Sequence, residues 1–372
     1  MKIGIDISPM HNEYAGIGHF TETLTQELLK LDKHNRYFLY HHTKPQNFAL
    51  SKNAHFVILK FPKILPFKGV RWINKVSSDA KQKNLDLFIS FSNHLFSLTF
   101  PKTFQFIHDL SPVKFPQYYS AKTVSLYNFT TKIAANRAVK ILTISETVKS
   151  ELHEFTNIDL DRIEVIYPGL SNFLAIQQRS NSAKEIIEKY HLPSHYMLSV
   201  STLEPKKNTV SLIKAYAQFK KNNLSDFKLV IVGKKGWHYQ EIFNLVKKLN
   251  LDNEVLFLGY VPDSELAVVY QKAKLYVNLS LYEGFGITPL EALYFNLPTV
   301  LSDIPVFKEC YNGLVEFVKP KYIEQIANTL KILSENPKLK NTKKQVINLY
   351  SWQKSAQKLL KLINSYASER KN

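Results

Sequence analysis

Short apolar runs of strand length alternate with segments whose apolar residues recur every three or four positions, along nearly the whole chain. No other feature constrains the fold as tightly. A strand, a helical segment and another strand in succession select parallel α/β layers, because each crossover helix returns the chain to the same end of the sheet. Lys2–Ile7 reads as a first strand, and Ile17, Phe20, Leu24, Leu28 and Leu31 then fall at helical spacing. Strand-like runs follow at Arg36–Tyr40, His55–Lys60, Leu85–Phe91, Thr103–Ile107, Lys140–Ile144 and Arg162–Ile166. The alternation then restarts. Tyr196–Val200 opens a second series, a helix is expected through Val210–Phe219, and strands follow at Lys228–Val232 and Val255–Leu258. A helix at Asp263–Gln271 leads to strands at Lys274–Leu279 and Thr299–Leu301.

Two successive α/β halves account for this pattern, and 372 residues suffice for about two domains. The polar stretch Gln177–Lys184 carries no strand signal and reads as the seam. We therefore expect one domain over 1–175 and another over 190–350, with a C-terminal segment 351–372 whose helix, Ser351–Tyr366, returns to the first domain. Hydrophobic residues make up 45% of the chain, enough for sizeable cores. No apolar run approaches the roughly 18 residues of a membrane-spanning helix, and Asp6 interrupts what would be the core of a signal peptide. The single cysteine, Cys310, excludes an internal disulfide and a cysteine-based metal site. A cytoplasmic protein is the expectation. Forty-nine basic residues against 31 acidic ones give a net charge of +18. Such an excess suits a polyanionic partner, whether nucleic acid, anionic lipid or a phosphorylated ligand; a Lys-rich solvated surface accounts for it equally well.

Ligands of parallel α/β sheets sit beyond the carboxyl ends of the strands, where helix N-termini offer backbone N–H groups to anions. Several turns here fit that place. Gly16 and Gly18, in Ala15-Gly-Ile-Gly-His19, open a helix after the first strand and let a backbone approach a phosphate closely; a plain tight turn is the competing reading, and no GxGxxG is present. His108 and Asp109 lie where an apolar strand ends, as site residues or as a satisfied ring and a turn cap. Lys206 and Lys207, in Glu-Pro-Lys-Lys-Asn, follow the first strand of the second half and suit a diphosphate, although surface lysines are common in this chain. The stretch Val232-Gly-Lys-Lys-Gly-Trp237 reads as a turn or a site wall. Last comes Tyr282-Glu-Gly-Phe-Gly-Ile-Thr-Pro-Leu-Glu-Ala292. Thr288 as N-cap, Pro289 at the first helical position and Glu291 two residues on spell a capping box, which explains Glu291 structurally. Glu283 has no structural explanation and reads as a site residue.

Taken together, these motifs resemble the retaining glycosyltransferases of family GT4 with the GT-B fold. Glu283 and Glu291 match the E-x7-E pattern. AGIGHF, IHDLSPVKFP, LTISETVKSEL, VIYPG, SVSTLEPKKN, LVIVGKKGW and VLFLGYV occur in the family's order. The HDLSP and EPKKN forms look most like bacterial mannosyltransferases of O-antigen and polysaccharide assembly. The resemblance implies two Rossmann-like α/β domains facing a central cleft. It implies that Gly16 and Gly18 give amides to the donor diphosphate and that His108 lines the cleft near the transferred sugar. Lys206 and Lys207 neutralise the leaving group, with Lys207, His108 and Glu283 as the catalytic set. Tyr260 and Val261 hold the nucleobase through their backbone. Glu283, within Glu283-Gly284-Phe285-Gly286, binds the sugar hydroxyls, and Glu291 binds the ribose. Thr202 stands where many members carry Arg, and Lys319 where an aspartate is usual.

The implied donor is a nucleotide sugar, GDP-mannose first and a UDP-sugar second, and the acceptor a glycan or lipid-linked oligosaccharide. No cofactor and no metal are expected: fixed cations and helix N-termini replace a metal in such sites, and no DxD motif follows a strand. Neither glutamate is assigned as nucleophile. Lys60–Lys83 holds seven basic residues and one acid, Asp79, with Phe61, Phe67 and Trp72 interleaved. That mixture suits an anionic membrane interface, which would place the protein peripherally on the inner face of the cell membrane. A solvated helix with core aromatics is the competing reading. No recognised RNA or DNA motif accompanies the basic charge, so a nucleic-acid partner is not expected.

Overall fold

The computed structural model describes residues 1–10, 16–45, 48–60, 68–92, 96–170, 183–221, 226–337 and 341–370. The chain divides into two compact units, one running from Met1 to Gly169 and resuming at Tyr350, the other running from Leu170 to Leu349.

The first unit is built on seven parallel strands: β1 (Lys2–Asp6), β2 (Arg36–His41), β3 (Ala54–Ile58), β4 (Leu87–Ser90), β5 (Thr103–Phe106), β6 (Lys140–Thr143) and β7 (Ile163–Val165). Their order is β3-β2-β1-β4-β5-β6-β7, so the order reverses between β1 and β4. Ile3, Ile5, Leu87, Ile89, Phe104, Phe106 and Leu142 are buried among helices, as expected of a parallel sheet covered on both faces. The helix Trp352–Glu369 belongs to this unit. It lies along Ile17–Leu31 and buries Trp352, Ala356, Leu359 and Ile363 in the same core. Its start is fixed by close backbone approach: a Cβ on Gly169 would stand 2.3 Å from the Trp352 nitrogen, so only glycine fits there.

In the second unit six parallel strands run β8 (Tyr196–Val200), β9 (Lys228–Val232), β10 (Val255–Gly259), β11 (Leu275–Asn278), β12 (Thr299–Ser302) and β13 (Glu316–Val318). The order β10-β9-β8-β11-β12-β13 reverses between β8 and β11. Each unit is thus a Rossmann-like, doubly wound sheet. Twelve of these strands coincide with runs read from the sequence. The thirteenth, Glu316–Val318, has no counterpart among those runs. A change of strand order leaves a crevice at the carboxyl ends of the two strands that flank it, so β8 and β11 mark where a ligand of the second unit belongs.

Candidate active site

The chain leaving β8 makes a short 3-10 turn over Pro205–Lys207, and Asn208 ends that turn in the left-handed region at φ 56°. Asparagine tolerates this region better than most side chains. Its amide group spans two other loops, donating to the Leu279 carbonyl (3.1 Å) beyond β11 and to the Pro320 carbonyl (2.7 Å) beyond β13. The Leu281 N–H closes the junction by donating to the Lys206 carbonyl at 2.8 Å. The lysine turn is therefore pinned to the loop that carries Glu283.

That pinning brings two of the expected residues into contact. Lys207 Nζ donates to Glu283 Oε1 at 2.6 Å, and Ser280 Oγ donates to the same oxygen at 2.8 Å. Both members of the ion pair are largely buried, with side chains 16% and 12% exposed. The expectation that Glu283 lacks a structural partner is corrected here: its partner lies 76 residues away in sequence, out of reach of local spacing. Lys206 Nζ lies 3.7 Å from the carboxylate of Glu204, a buried residue not singled out from the sequence.

The capping box at Thr288 does not form. The helix Ile287–Tyr294 begins two residues earlier, with Gly286 as N-cap at φ 95° and no side-chain cap bond. Two tyrosines take the side chains instead. Tyr276 donates to Thr288 Oγ1 at 2.8 Å, and Tyr270 donates to Glu291 Oε2 at 2.9 Å. Burial, followed by the Glu291 carboxylate, pushes the Tyr270 phenol well above its ordinary value, which keeps it a donor. Glu291 itself is buried. Gly286 is required twice over, by its positive φ and by Phe307, whose ring a Cβ would meet at 2.5 Å. Gly284 and Phe285 are buried, and Phe285 packs edge-on against Tyr311, whose hydroxyl donates to the Gly286 carbonyl.

The turn after β9 forms a wall beside the lysine turn. Leu203 N–H donates to the Lys234 carbonyl (2.9 Å), and Gly236 N–H donates back to the Leu203 carbonyl (3.0 Å). Lys234 Nζ sits 4.5 Å above the ring of Tyr260, which is exposed, while the Val261 side chain is buried.

The first unit holds the remaining expected residues at the carboxyl end of its own sheet. Gly16 caps Ile17–Leu31 with φ 43°, and Gly18 is buried in the first turn of that helix. Phe20, one turn on, packs edge-on against His108 with ring centroids 5.0 Å apart, and Phe106 stacks on the same imidazole. His108 Nε2 lies 2.9 Å from the Phe91 carbonyl, so that nitrogen carries the proton. Burial lowers its pKa to about 4, which makes the ring neutral at pH 7. Beside it, at the β1/β4 reversal, the fully buried Asp6 accepts from Ser92 Oγ (2.9 Å) and Trp72 Nε1 (3.2 Å). Trp72 is thus a core residue, which removes it from the expected membrane face; Phe61 and Phe67 fall outside the described residues. Among the described residues no cluster of three His, Cys, Asp or Glu side chains suits a metal, and no helix is long and apolar enough to cross a membrane.

Comparison with known proteins bears on the same two halves. Residues 14–171 match the family model described as Glycosyltransferase Family 4, and residues 182–365 match that described as Glycosyl transferases group 1. The O-antigen chain mannosyltransferase RfbU of Salmonella typhimurium is 31% identical over 231 residues, 62% of this chain and 60% of that protein. The O-antigen chain mannosyltransferase B of Escherichia coli is 28% identical over 59% of this chain and 58% of its own length. The matched stretch thus spans only about 60% of these curated relatives. Among solved structures, sucrose-phosphate synthase from Thermosynechococcus elongatus superposes with a TM-score of 0.78 at 18% identity, covering 99% of both chains. Anabaena HepE in complex with UDP and glucose gives a TM-score of 0.76 at 16% identity, covering 98% of this chain and 100% of that one. Matched by family models over both of its Rossmann-like halves, this chain belongs to the glycosyltransferases of group 1 and family 4, with the GT-B fold.

Proposed function

We propose that the protein transfers a mannosyl residue from GDP-mannose to a glycan or lipid-linked oligosaccharide during cell-surface polysaccharide or O-antigen assembly. Transfer proceeds with retention of configuration and without a divalent metal on the diphosphate. The second unit binds the donor and the first unit the acceptor. The observation that carries the reading is the Lys207–Glu283 pair at the β8/β11 reversal. An ammonium has three N–H donors, so Lys207 can hold Glu283 and still meet a phosphate oxygen, while Glu283 takes a sugar hydroxyl. Lys206 adds a second cation. Glu291 serves the ribose and the backbone at Tyr260 and Val261 the base. In the step itself the bond from the anomeric carbon to the diphosphate oxygen breaks and the acceptor hydroxyl bonds to that carbon on the same face. The acceptor's proton passes to the departing diphosphate. The mannosyl assignment follows the names of the O-antigen relatives.

A UDP-sugar is the second reading, favoured by the UDP bound to Anabaena HepE. Thermal shift in EDTA with GDP-mannose, GDP, UDP-glucose and UDP-N-acetylglucosamine separates the two. GDP-mannose is expected to raise the melting temperature most. A larger shift with a UDP-sugar overturns the donor, and a shift only with added Mg²⁺ overturns the metal-free mechanism. The anomeric configuration of the product, read by NMR, tests retention.

A further inference from the structure

Gln105 is fully buried in β5, in register with Ser90 of β4 and flanked along its strand by Phe104 and Phe106. Its amide nitrogen donates to the Ser92 carbonyl at 2.6 Å and to the Phe106 carbonyl at 3.1 Å. The Ser90 carbonyl and hydroxyl stand further off, at 3.4 and 3.3 Å. Three of these four oxygens are carbonyls, which only accept, so the amide cannot be turned over. Its own oxygen is buried and, among the described residues, has no hydrogen-bond partner. A buried carbonyl left unpaired is unfavourable, and an apolar side chain in this sheet would avoid it. The two N–H donors are therefore what the position uses. Ser92 is held a second time by Asp6 of β1, which accepts from its hydroxyl at 2.9 Å. Between Ser90 and Ser92 stands Phe91, whose carbonyl lies 2.9 Å from His108 Nε2. Gln105 thus grips the carbonyl after Phe91 and, through Phe106, the strand end that carries His108.

We propose that Gln105 is a positioning residue for His108. By fixing the Ser92 and Phe106 carbonyls it keeps the Phe91 carbonyl on His108 Nε2, which leaves Nδ1 of the neutral ring to accept from a hydroxyl of the sugar being transferred. Its effect on turnover rests on the glycosyl transfer proposed above, with His108 lining the site, and not on which nucleotide carries the sugar. A packing role is the competing account, because Phe106 stacks on Phe91 at 4.7 Å and on the His108 ring at 5.8 Å. The two accounts part over Q105M. Methionine has the length of glutamine and no N–H, and it also removes the unpaired oxygen. Packing alone therefore predicts no loss from Q105M, whereas a positioning role predicts a freed Phe91 peptide and a slower enzyme.

Nitrogen NMR of the full chain labelled at histidine tests it, with H108Q identifying the His108 signals. In the unsubstituted protein Nε2 is expected to carry a low-field proton protected from exchange, and Nδ1 to resonate as an unprotonated ring nitrogen. In Q105M the Nε2 proton should move upfield or exchange away with water, with circular dichroism unchanged. GDP release from GDP-mannose, with water as acceptor, gives the second readout. Q105M is expected to lower kcat at least about tenfold while KM stays within about twofold, as a misplaced group does. Q105E, held neutral by burial, keeps one donor and should fall between Q105M and the unsubstituted protein in both readouts. Unchanged His108 signals in Q105M, changed signals with an unchanged kcat, or a Q105E no better than Q105M overturns the proposal. Changed His108 signals in a protein that releases nucleotide from neither GDP-mannose nor UDP-glucose uphold the positioning of His108 and overturn the transfer reading instead.

Discussion

Lys207 and Glu283 concentrate the consequences of single substitutions. Removing one member leaves the other charge largely buried without its partner, which costs about 3 kcal/mol in pairs of this kind. K207A is therefore expected to lower both stability and transfer. K207R keeps the charge and should retain most of the stability while transfer falls about 100-fold or more; E283Q keeps an acceptor for Ser280 but leaves the Lys207 charge unpaired, so it should lose stability as well as transfer. Urea unfolding beside steady-state rates separates the two effects. If K207R keeps transfer along with stability, the pair is structural first and the site assignment fails. His108 gives a pH-dependent outcome. Its folded pKa of about 4 lies below the ordinary 6.5, so between those values the unfolded chain takes up a proton that the folded one refuses. Stability from this residue is complete above pH 6.5 and declines as the pH falls towards 4, by about 3 kcal/mol at most. H108Q should flatten that part of the stability–pH curve in chemical denaturation. The sequence placed His108 and the lysines at strand ends correctly, because apolar runs stop where side chains turn polar. The Lys207–Glu283 contact was not legible, since it depends on which strands become neighbours.

At the scale of elements, Asn208 ties three loops together. N208A loses two side-chain hydrogen bonds and an αL-tolerant residue, and is expected to cost about 3 kcal/mol. N208G restores the backbone freedom and should recover only part of it, as read from denaturation midpoints. KM for the donor should rise in both, because the lysine turn loses its anchor to the Glu283 loop. The parallel strands were legible as apolar runs, and the helix starts were less so. Thr288-Pro-Leu-Glu291 has every local mark of a capping box. Tyr270 and Tyr276 take the two side chains in that box, and a glycine with positive φ moves the start back by two residues. Local spacing describes what a segment can do alone; buried tyrosines from elsewhere decide what it does. Trp72 makes the same point: its basic, aromatic surroundings look interfacial, yet a buried carboxylate from β1 holds it inside.

The molecule as a whole is two doubly wound sheets whose repeating strand–helix pattern announced them, with a final helix that leaves the second and completes the first. A chain ending at Tyr350 would uncover the surface that Trp352, Ala356, Leu359 and Ile363 bury. It is expected to keep a protease-resistant second unit and lose the first, a result that limited proteolysis with mass spectrometry reads directly. Loss of both units together would mean that the second cannot stand alone. The same crossing sets an order in time. Residues 170 to 349 form one uninterrupted stretch of synthesis, whereas the first unit waits for residues made after all of them. On the ribosome the half that is translated first is therefore the half finished last, and until the final helix emerges its core stays open to whatever binds exposed apolar surface.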